Sequence, residues 1–283
     1  LLVGESFAHG TGVRTVQSWA EIADRSAANL DIVNLAVSGY SMAQAYLRYQ
    51  SVADRLNSDG VLLAFAPTVD LWRDVNVMRD LGEPWGLRSV MPRFVPEGDG
   101  LRLVPSPYAN GDEFRHENGN GLSPRLEDHL QRYDRFYFSL EHRRVAGLDT
   151  LVTYKIFVAA YGRYARGAVR RKQLHSGSEA WEVSRRLFRR LQHEIAQRGK
   201  KFIVLVLPTI SDLRRLHDDS SFRATWRNMV SYACDRMSRC IDVGSPLADV
   251  PPEIIDVSVD GNHYGARMNE RIAREVVAVL GRT

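Results

Sequence analysis

Apolar and polar positions follow two rhythms along this chain. Short β-rich runs stand at 1–3, 32–37, 61–66, 201–207 and 240–243, and the one at 61–66 is apolar throughout. Such runs suit strands of a parallel sheet covered on both faces. Between them, apolar residues recur every three to four positions, which predicts helices over 15–29, 41–56, 179–198, 222–237 and 266–280. In the first of these helices Trp19, Ile22, Ala23 and Ala27 share one face, and Ser41 is placed to cap the second.

From about 71 to 177 the rhythm breaks. Residues 92–104 alternate around a Gly98-Asp99-Gly100 turn and predict a β-hairpin. The Gly-, Asn- and Pro-rich stretch 105–122 reads as an exposed loop. Helices are expected over 126–142 and 151–168. The second carries Tyr154, Phe157, Val158, Tyr161 and Tyr164 at helical spacing, as core for this segment or as a lid.

Strand and helix alternation predicts an α/β fold. The expected architecture is a doubly wound, three-layer α/β/α sandwich with a mainly parallel sheet of about five strands. Residues 1–283 read as a single domain, with 71–177 inserted after the third strand as a cleft wall or lid. No linker-like stretch isolates that insertion, and no repeat or low-complexity segment is present.

Composition adds bounds rather than chemistry. The chain has 283 residues, 44% hydrophobic and 25% charged, as expected of a folded globular protein. Its net charge of +4 comes from 38 basic against 34 acidic residues. The densest basic groups are Arg163, Arg166, Arg170, Arg171 and Lys172, and then Arg185, Arg186, Arg189 and Arg190. Both lie in helical sequence and read as solvated faces, so no nucleic-acid partner is expected. No apolar run approaches the ~20 residues of a membrane span, and none is expected. No signal-peptide pattern is visible. The chain opens directly on an apolar strand, which predicts residues ahead of it and leaves export open. Cys234 and Cys240 span a helix end and the next strand, as a disulfide or as two thiols. Their spacing does not match a zinc site, and neither metal nor cofactor is expected.

The candidate chemistry lies at the two ends of the chain. Ser6 follows the first strand by way of Gly4, which allows a sharp turn and close approach. Asp260 and His263 lie three apart before the last helix. In parallel α/β sheets ligands bind at the carboxyl ends of the strands. Ser6, Gly39, the segment 68–70 and the 260–263 turn can all converge on that edge. A serine hydroxyl needs a base to take its proton, and the base needs an orienting acid. Each motif alone also has a plain reading as a turn or cap. Gly10-Thr11-Gly12 lacks the spacing of a phosphate loop or a dinucleotide fingerprint.

Three blocks carry a resemblance: Gly4-Glu5-Ser6-Phe7-Ala8-His9-Gly10, Asn34-Leu35-Ala36-Val37-Ser38-Gly39-Tyr40-Ser41 and Ser258-Val259-Asp260-Gly261-Asn262-His263-Tyr264-Gly265. In order and in placement after strands they resemble the SGNH hydrolases, also called the GDSL esterase/lipase family, across the sheet core. The resemblance implies Ser6 as nucleophile, His263 as base and Asp260 as orienting acid. It also implies an oxyanion hole from the N–H groups of Ser6 and Gly39. The expected substrate is a carboxylic ester, either an O-acyl group on a carbohydrate or a small acyl ester.

Two positions depart from the family pattern. Glu5 stands where an Asp is usual, and Val69 where an oxyanion-hole Asn is expected. A valine donates no hydrogen bond, and losing one such donor costs about 100- to 1,000-fold in rate. Thr68 is the expected substitute. An O-acyltransferase with the same triad and a non-catalytic carbohydrate- or acyl-binding protein are the alternatives. His9, Tyr40, Asp70 and Trp72 are the candidate substrate contacts, with Arg73, Asp74 and Trp85 near the cleft mouth. For His9 a surface role competes, and for the tryptophans ordinary packing.

Overall fold

A computed structural model describes residues 1–78, 90–118, 121–142, 147–148, 150–235 and 239–280. Its strands are β1 (Leu2–Val3), β2 (Gly60–Phe65), β3 (Arg93–Glu97), β4 (Gly100–Val104), β5 (Lys201–Val206) and β6 (Cys240–Asp242). Its α-helices are α1 (Ser6–His9), α2 (Trp19–Ser26), α3 (Met42–Val52), α4 (Pro67–Arg73), α5 (Gly111–Asn118), α6 (Pro124–Tyr133), α7 (Val152–Gln173), α8 (Glu179–Gln197), α9 (Ile210–Asp218), α10 (Ser220–Cys234) and α11 (Ala266–Leu280). By internal contacts the chain divides into two compact units, Leu1–Leu71 with Ser184–Thr283, and Trp72–Val183.

The first unit is an α/β sandwich. Its sheet runs β1-β2-β5-β6, and each neighbouring pair is parallel. The expected strand over 32–37 is reduced to a bridge beside β1. Leu2 N–H donates to Val33 O, Leu35 N–H to Leu2 O and Val37 N–H to Gly4 O. β1 is only two residues long, so the ladder beside it stays short. One sheet face packs Leu2, Leu62, Ala64, Leu205 and Ile241 into a core with α2 and α11. On the other face Phe65 meets Phe188 of α8 at 5.1 Å, and the Tyr46 hydroxyl of α3 donates to Glu194 of α8 at 2.7 Å.

Local chemistry sets the helix limits. Ser18 caps α2, which therefore starts later than expected, after a 3-10 turn at Thr15–Gln17. Ser41 caps α3 as read from the sequence. Helix α9 was not foreseen. Its signal is a capping pair, with the Thr209 hydroxyl accepting from Asp212 N–H at 3.1 Å and the Asp212 carboxylate accepting from Thr209 N–H at 2.9 Å. Cys234 and Cys240 form a disulfide.

In the second unit β3 and β4 form the expected antiparallel hairpin. Three expectations need correction here. The stretch 105–122 is not wholly loop: it contains α5, whose buried Phe114 joins Val77, Met78, Tyr108, Leu126 and Leu130 in a core. The helix expected over 126–142 ends at Tyr133. The buried Asp134 carboxylate there accepts N–H bonds from Val77, Met78 and Phe136, which turns the chain out of the helix. The aromatic helix, α7, is longer than expected; Tyr154 and Val158 are half-buried, while its other aromatic side chains are not core. Phe157, Tyr161 and Tyr164 are 60%, 42% and 72% exposed.

Candidate active site

The apolar strand β1 ends at Gly4. A Cβ there would lie 2.9 Å from the Ala8 Cβ and 3.0 Å from the Ala64 Cβ, so only glycine lets the chain turn this close to β2. Glu5 then caps α1: its carboxylate accepts the Phe7 N–H at 3.0 Å and the Ser6 hydroxyl at 2.7 Å. Ser6 opens the helix, so its N–H belongs to the first turn, which has no intrahelical acceptor. Gly10 closes α1 in the left-handed region, at φ 82°.

The other half of the site is the loop between Val257 and Tyr264, which pair as an antiparallel bridge. Ser258 N–H donates to His263 O at 2.9 Å, and Gly261 takes a positive φ of 74° at the tip. Asp260 organises the loop. Its Oδ1 accepts from the Ser258 hydroxyl at 2.7 Å, Asn262 N–H at 2.9 Å and His263 N–H at 3.1 Å. Its Oδ2 lies 2.6 Å from His263 Nδ1. Partial burial works to raise the Asp260 pKa. Hydrogen bonds from Ser258, Asn262 and His263 outweigh that and hold it at about 2.

The imidazole of His263 joins the halves: Nε2 lies 2.8 Å from Ser6 Oγ across 257 residues of sequence. With Nδ1–H donated to Asp260, Nε2 presents its lone pair to the serine. Phe7 packs on both the His263 and Tyr264 rings at 4.8 Å and fixes the imidazole plane from one side. Below, Asn269 of α11 accepts Trp19 N–H and donates to Tyr264 O and Gly265 O, which ties α2 and α11 to the loop.

The remaining expected site residues are spread out. Gly39 sits at φ 82° in the turn from Val37 to Tyr40, just past the residue that bonds Gly4 O. That puts the turn on the sheet edge that carries Ser6. Tyr40 is half-buried in this turn, and His9 is exposed, with Nδ1 3.4 Å from the Thr11 hydroxyl. Thr68 does not fit the part of substitute donor. Its hydroxyl has one proton and gives it to Asp212 Oδ2 at 2.5 Å. Asp70 does not fit a substrate contact: it is 1% exposed and its carboxylate accepts the Ala66 N–H at 2.8 Å. Val69 points into the core around α2 and α11. Trp72 belongs to the second unit, where it meets Phe136 edge-on at 5.8 Å and the guanidinium of Arg170 at 5.2 Å. Arg73 lies over the same ring at 5.7 Å, and Asp74 is fully buried in that unit. Trp85 falls outside the described residues.

Three contributors carried no site role in the sequence reading. Ser258 anchors Asp260, and Glu5 touches the serine hydroxyl itself. Gly12, at φ 84°, is where a Cβ would meet Ser258 Oγ at 2.5 Å, so its missing side chain lets the 258–263 loop settle. The glycine was visible as a breaker in Gly10-Thr11-Gly12, but its neighbour was not.

A cavity of about 640 Å³ lies elsewhere, at the amino ends of the strands, lined by Leu1, Asp31, Asp59, Lys201 and Arg239 among others. It contains none of the candidate residues. Among the described residues no group of three or more His, Cys, Asp and Glu is arranged to hold a metal ion. No helix among them is long and apolar enough to cross a membrane.

No protein-family model matches the chain, and no curated protein does. Among solved structures it is similar to a member of the lipolytic protein G-D-S-L family from Veillonella parvula DSM 2008. The identity is 13% and the TM-score 0.45, over 100% of this chain and 97% of that one. The functional reading rests on the site itself.

Proposed function

We propose that this chain is a serine hydrolase of carboxylic esters, with Ser6 as nucleophile, His263 as base and Asp260 as the orienting acid. The observation that carries the reading is the line of contacts from Asp260 Oδ2 through His263 to Ser6 Oγ, at 2.6 and 2.8 Å. Ser6 Oγ attacks the acyl carbonyl while its proton passes to His263 Nε2. Asp260 stabilises the imidazolium so formed. His263 then returns the proton to the departing alcohol, leaving the acyl group on Ser6. Water, deprotonated by the same imidazole, releases the acid. The N–H groups of Ser6 and Gly39 are the proposed donors to the tetrahedral oxyanion. An acceptor hydroxyl in place of water would make the same chemistry an O-acyl transfer.

A second reading has one observation in its favour. Neither Val69 nor the Thr68 hydroxyl is free to serve the oxyanion, as the core contacts and the bond to Asp212 imply. A carbohydrate- or acyl-binding protein without turnover needs no third donor. A fluorophosphonate probe separates the two readings. The hydrolase labels at Ser6 and cleaves p-nitrophenyl acetate, and Ser6→Ala loses both. Folded protein that stays unlabelled and inert, or turnover that survives Ser6→Ala, overturns the proposal.

A further inference from the structure

Among the described residues, helix α7 departs from the other long helices by turning its apolar side chains outward. It runs 22 residues from Val152 to Gln173. Val152, Ile156, Phe157 and Tyr164 are 69%, 63%, 60% and 72% exposed. Leu148 and Leu151, just ahead of the helix, are 42% and 49% exposed. At 100° per residue, Gly162 lies on the opposite side from Ala160, Phe157 and Tyr164. Gly162 is the packed side: a Cβ there would collide with the carboxylate of Glu141, which also takes a salt bridge from Arg166 at 2.5 Å. The aromatic and aliphatic face therefore looks away from the body that holds the helix. Exposed apolar patches of this kind mark interaction surfaces.

Charge selects the partner. Between 151 and 178 there is no Asp or Glu, while Lys155, Arg163, Arg166, Arg170, Arg171 and Lys172 all lie on the helix. Lys155, Arg163, Arg171 and Lys172 are exposed, and among the described residues they form no ion pair. The apolar positions occupy the first three and a half turns, and the cations gather in the second half of the helix. A second copy of this helix would set one acid-free cationic surface against another. An anionic phospholipid surface matches both halves. Phe and Tyr rings and aliphatic tips enter the headgroup boundary, while long basic side chains reach the phosphates.

We propose that the outward face of α7 docks this protein onto anionic phospholipid membranes, with Ile156, Phe157 and Tyr164 inserted and Arg163, Arg171 and Lys172 against the headgroups. The surface is independent of the ester-hydrolase reading, because the test reads binding alone. The protein is sedimented with vesicles of phosphatidylcholine, without and with phosphatidylglycerol. Wild type is expected to pellet with the phosphatidylglycerol vesicles and to be released by salt. Ile156→Ser with Phe157→Ser is expected to weaken binding at least about tenfold. So is the triple change Arg163→Ser, Arg171→Ser and Lys172→Ser, at about fivefold per cation. These side chains are exposed, so circular dichroism should stay unchanged in both variants. Wild type left in the supernatant, or variants that bind equally well, overturns the proposal. So does a wild-type dimer that the Ile156 and Phe157 changes convert to monomer, which assigns the face to a second copy.

Discussion

The Ser6 hydroxyl donates to the Glu5 carboxylate at 2.7 Å, although the nitrogen that should take its proton, His263 Nε2, stands 2.8 Å from the same oxygen. One proton faces two acceptors. While it points to Glu5, the serine is not aligned to deliver it to the imidazole. Glu5→Gln keeps an oxygen for the Phe7 N–H and turns an amide N–H toward Ser6, which leaves His263 as the acceptor. A hydrogen bond to a charged group is worth about 1.5–3 kcal/mol, so the change should raise kcat or the fluorophosphonate labelling rate at least about tenfold. A fall in that rate, with the fold intact, would show that the carboxylate assists the reaction instead.

Asp260 is ionised wherever the protein is folded and assayed, because its hydrogen bonds hold it at about 2. No acid limb above about pH 4 in a pH–rate profile should belong to it. Its stabilising contribution is present above the unfolded carboxylate value of about 3.9 and is lost only as pH falls through about 2. Asp260→Asn keeps the shape but cannot hold the Nδ1 proton in the same way, and kcat should drop about 10,000-fold. Rate measurements on the purified variant, with circular dichroism to confirm folding, check this.

The pattern of apolar runs was enough for the parallel sheet, for the hairpin and for the placement of Ser6, Gly39 and the 260–263 turn on one edge. Each of those depends on local punctuation: a strand, a glycine, the start of a helix. What the pattern lacked was tertiary contact. Gly12 beside Ser258, and Thr68 beside Asp212, join residues more than 140 positions apart and leave no local mark. Helix α7 misled for another reason. Aromatic residues at helical spacing say which residues share a face, but not whether that face is covered.

Val69 is a case where the structure reverses an expectation drawn from resemblance. Placing an asparagine at this position looks like a way to add an oxyanion donor. The Val69 side chain, however, is 9% exposed and packs in the core with α2 and α11. Val69→Asn would bury an amide there without partners. It should lower stability by about 1–3 kcal/mol in urea titration and leave esterase activity no higher. An increase in kcat would mean that the side chain at this position reaches the reaction.

The second unit carries a carboxyl whose ionisation opposes folding. Asp134 is 5% exposed, and burial raises its pKa to about 6, against the lowering pull of N–H bonds from Met78, Phe136 and Val77 and of the nearby Arg93. In the unfolded chain the same group titrates near 3.9. Between those values the folded state holds the proton and the unfolded state does not. Stability from this group is therefore present at low pH and is lost as pH rises through about 6. Asp134→Asn removes the titration while keeping one acceptor oxygen. The variant should be less stable than wild type, because N–H groups now face an amide in place of a carboxylate. The gap between the two should also widen by about 1 kcal/mol between pH 7 and pH 5 as wild type gains its proton. Denaturant titrations of both proteins at the two pH values read this directly, since ionisations elsewhere cancel in the difference. A gap that narrows toward pH 5 would mean that Asp134 is held as an anion by its N–H donors, with Arg93 prevailing over burial.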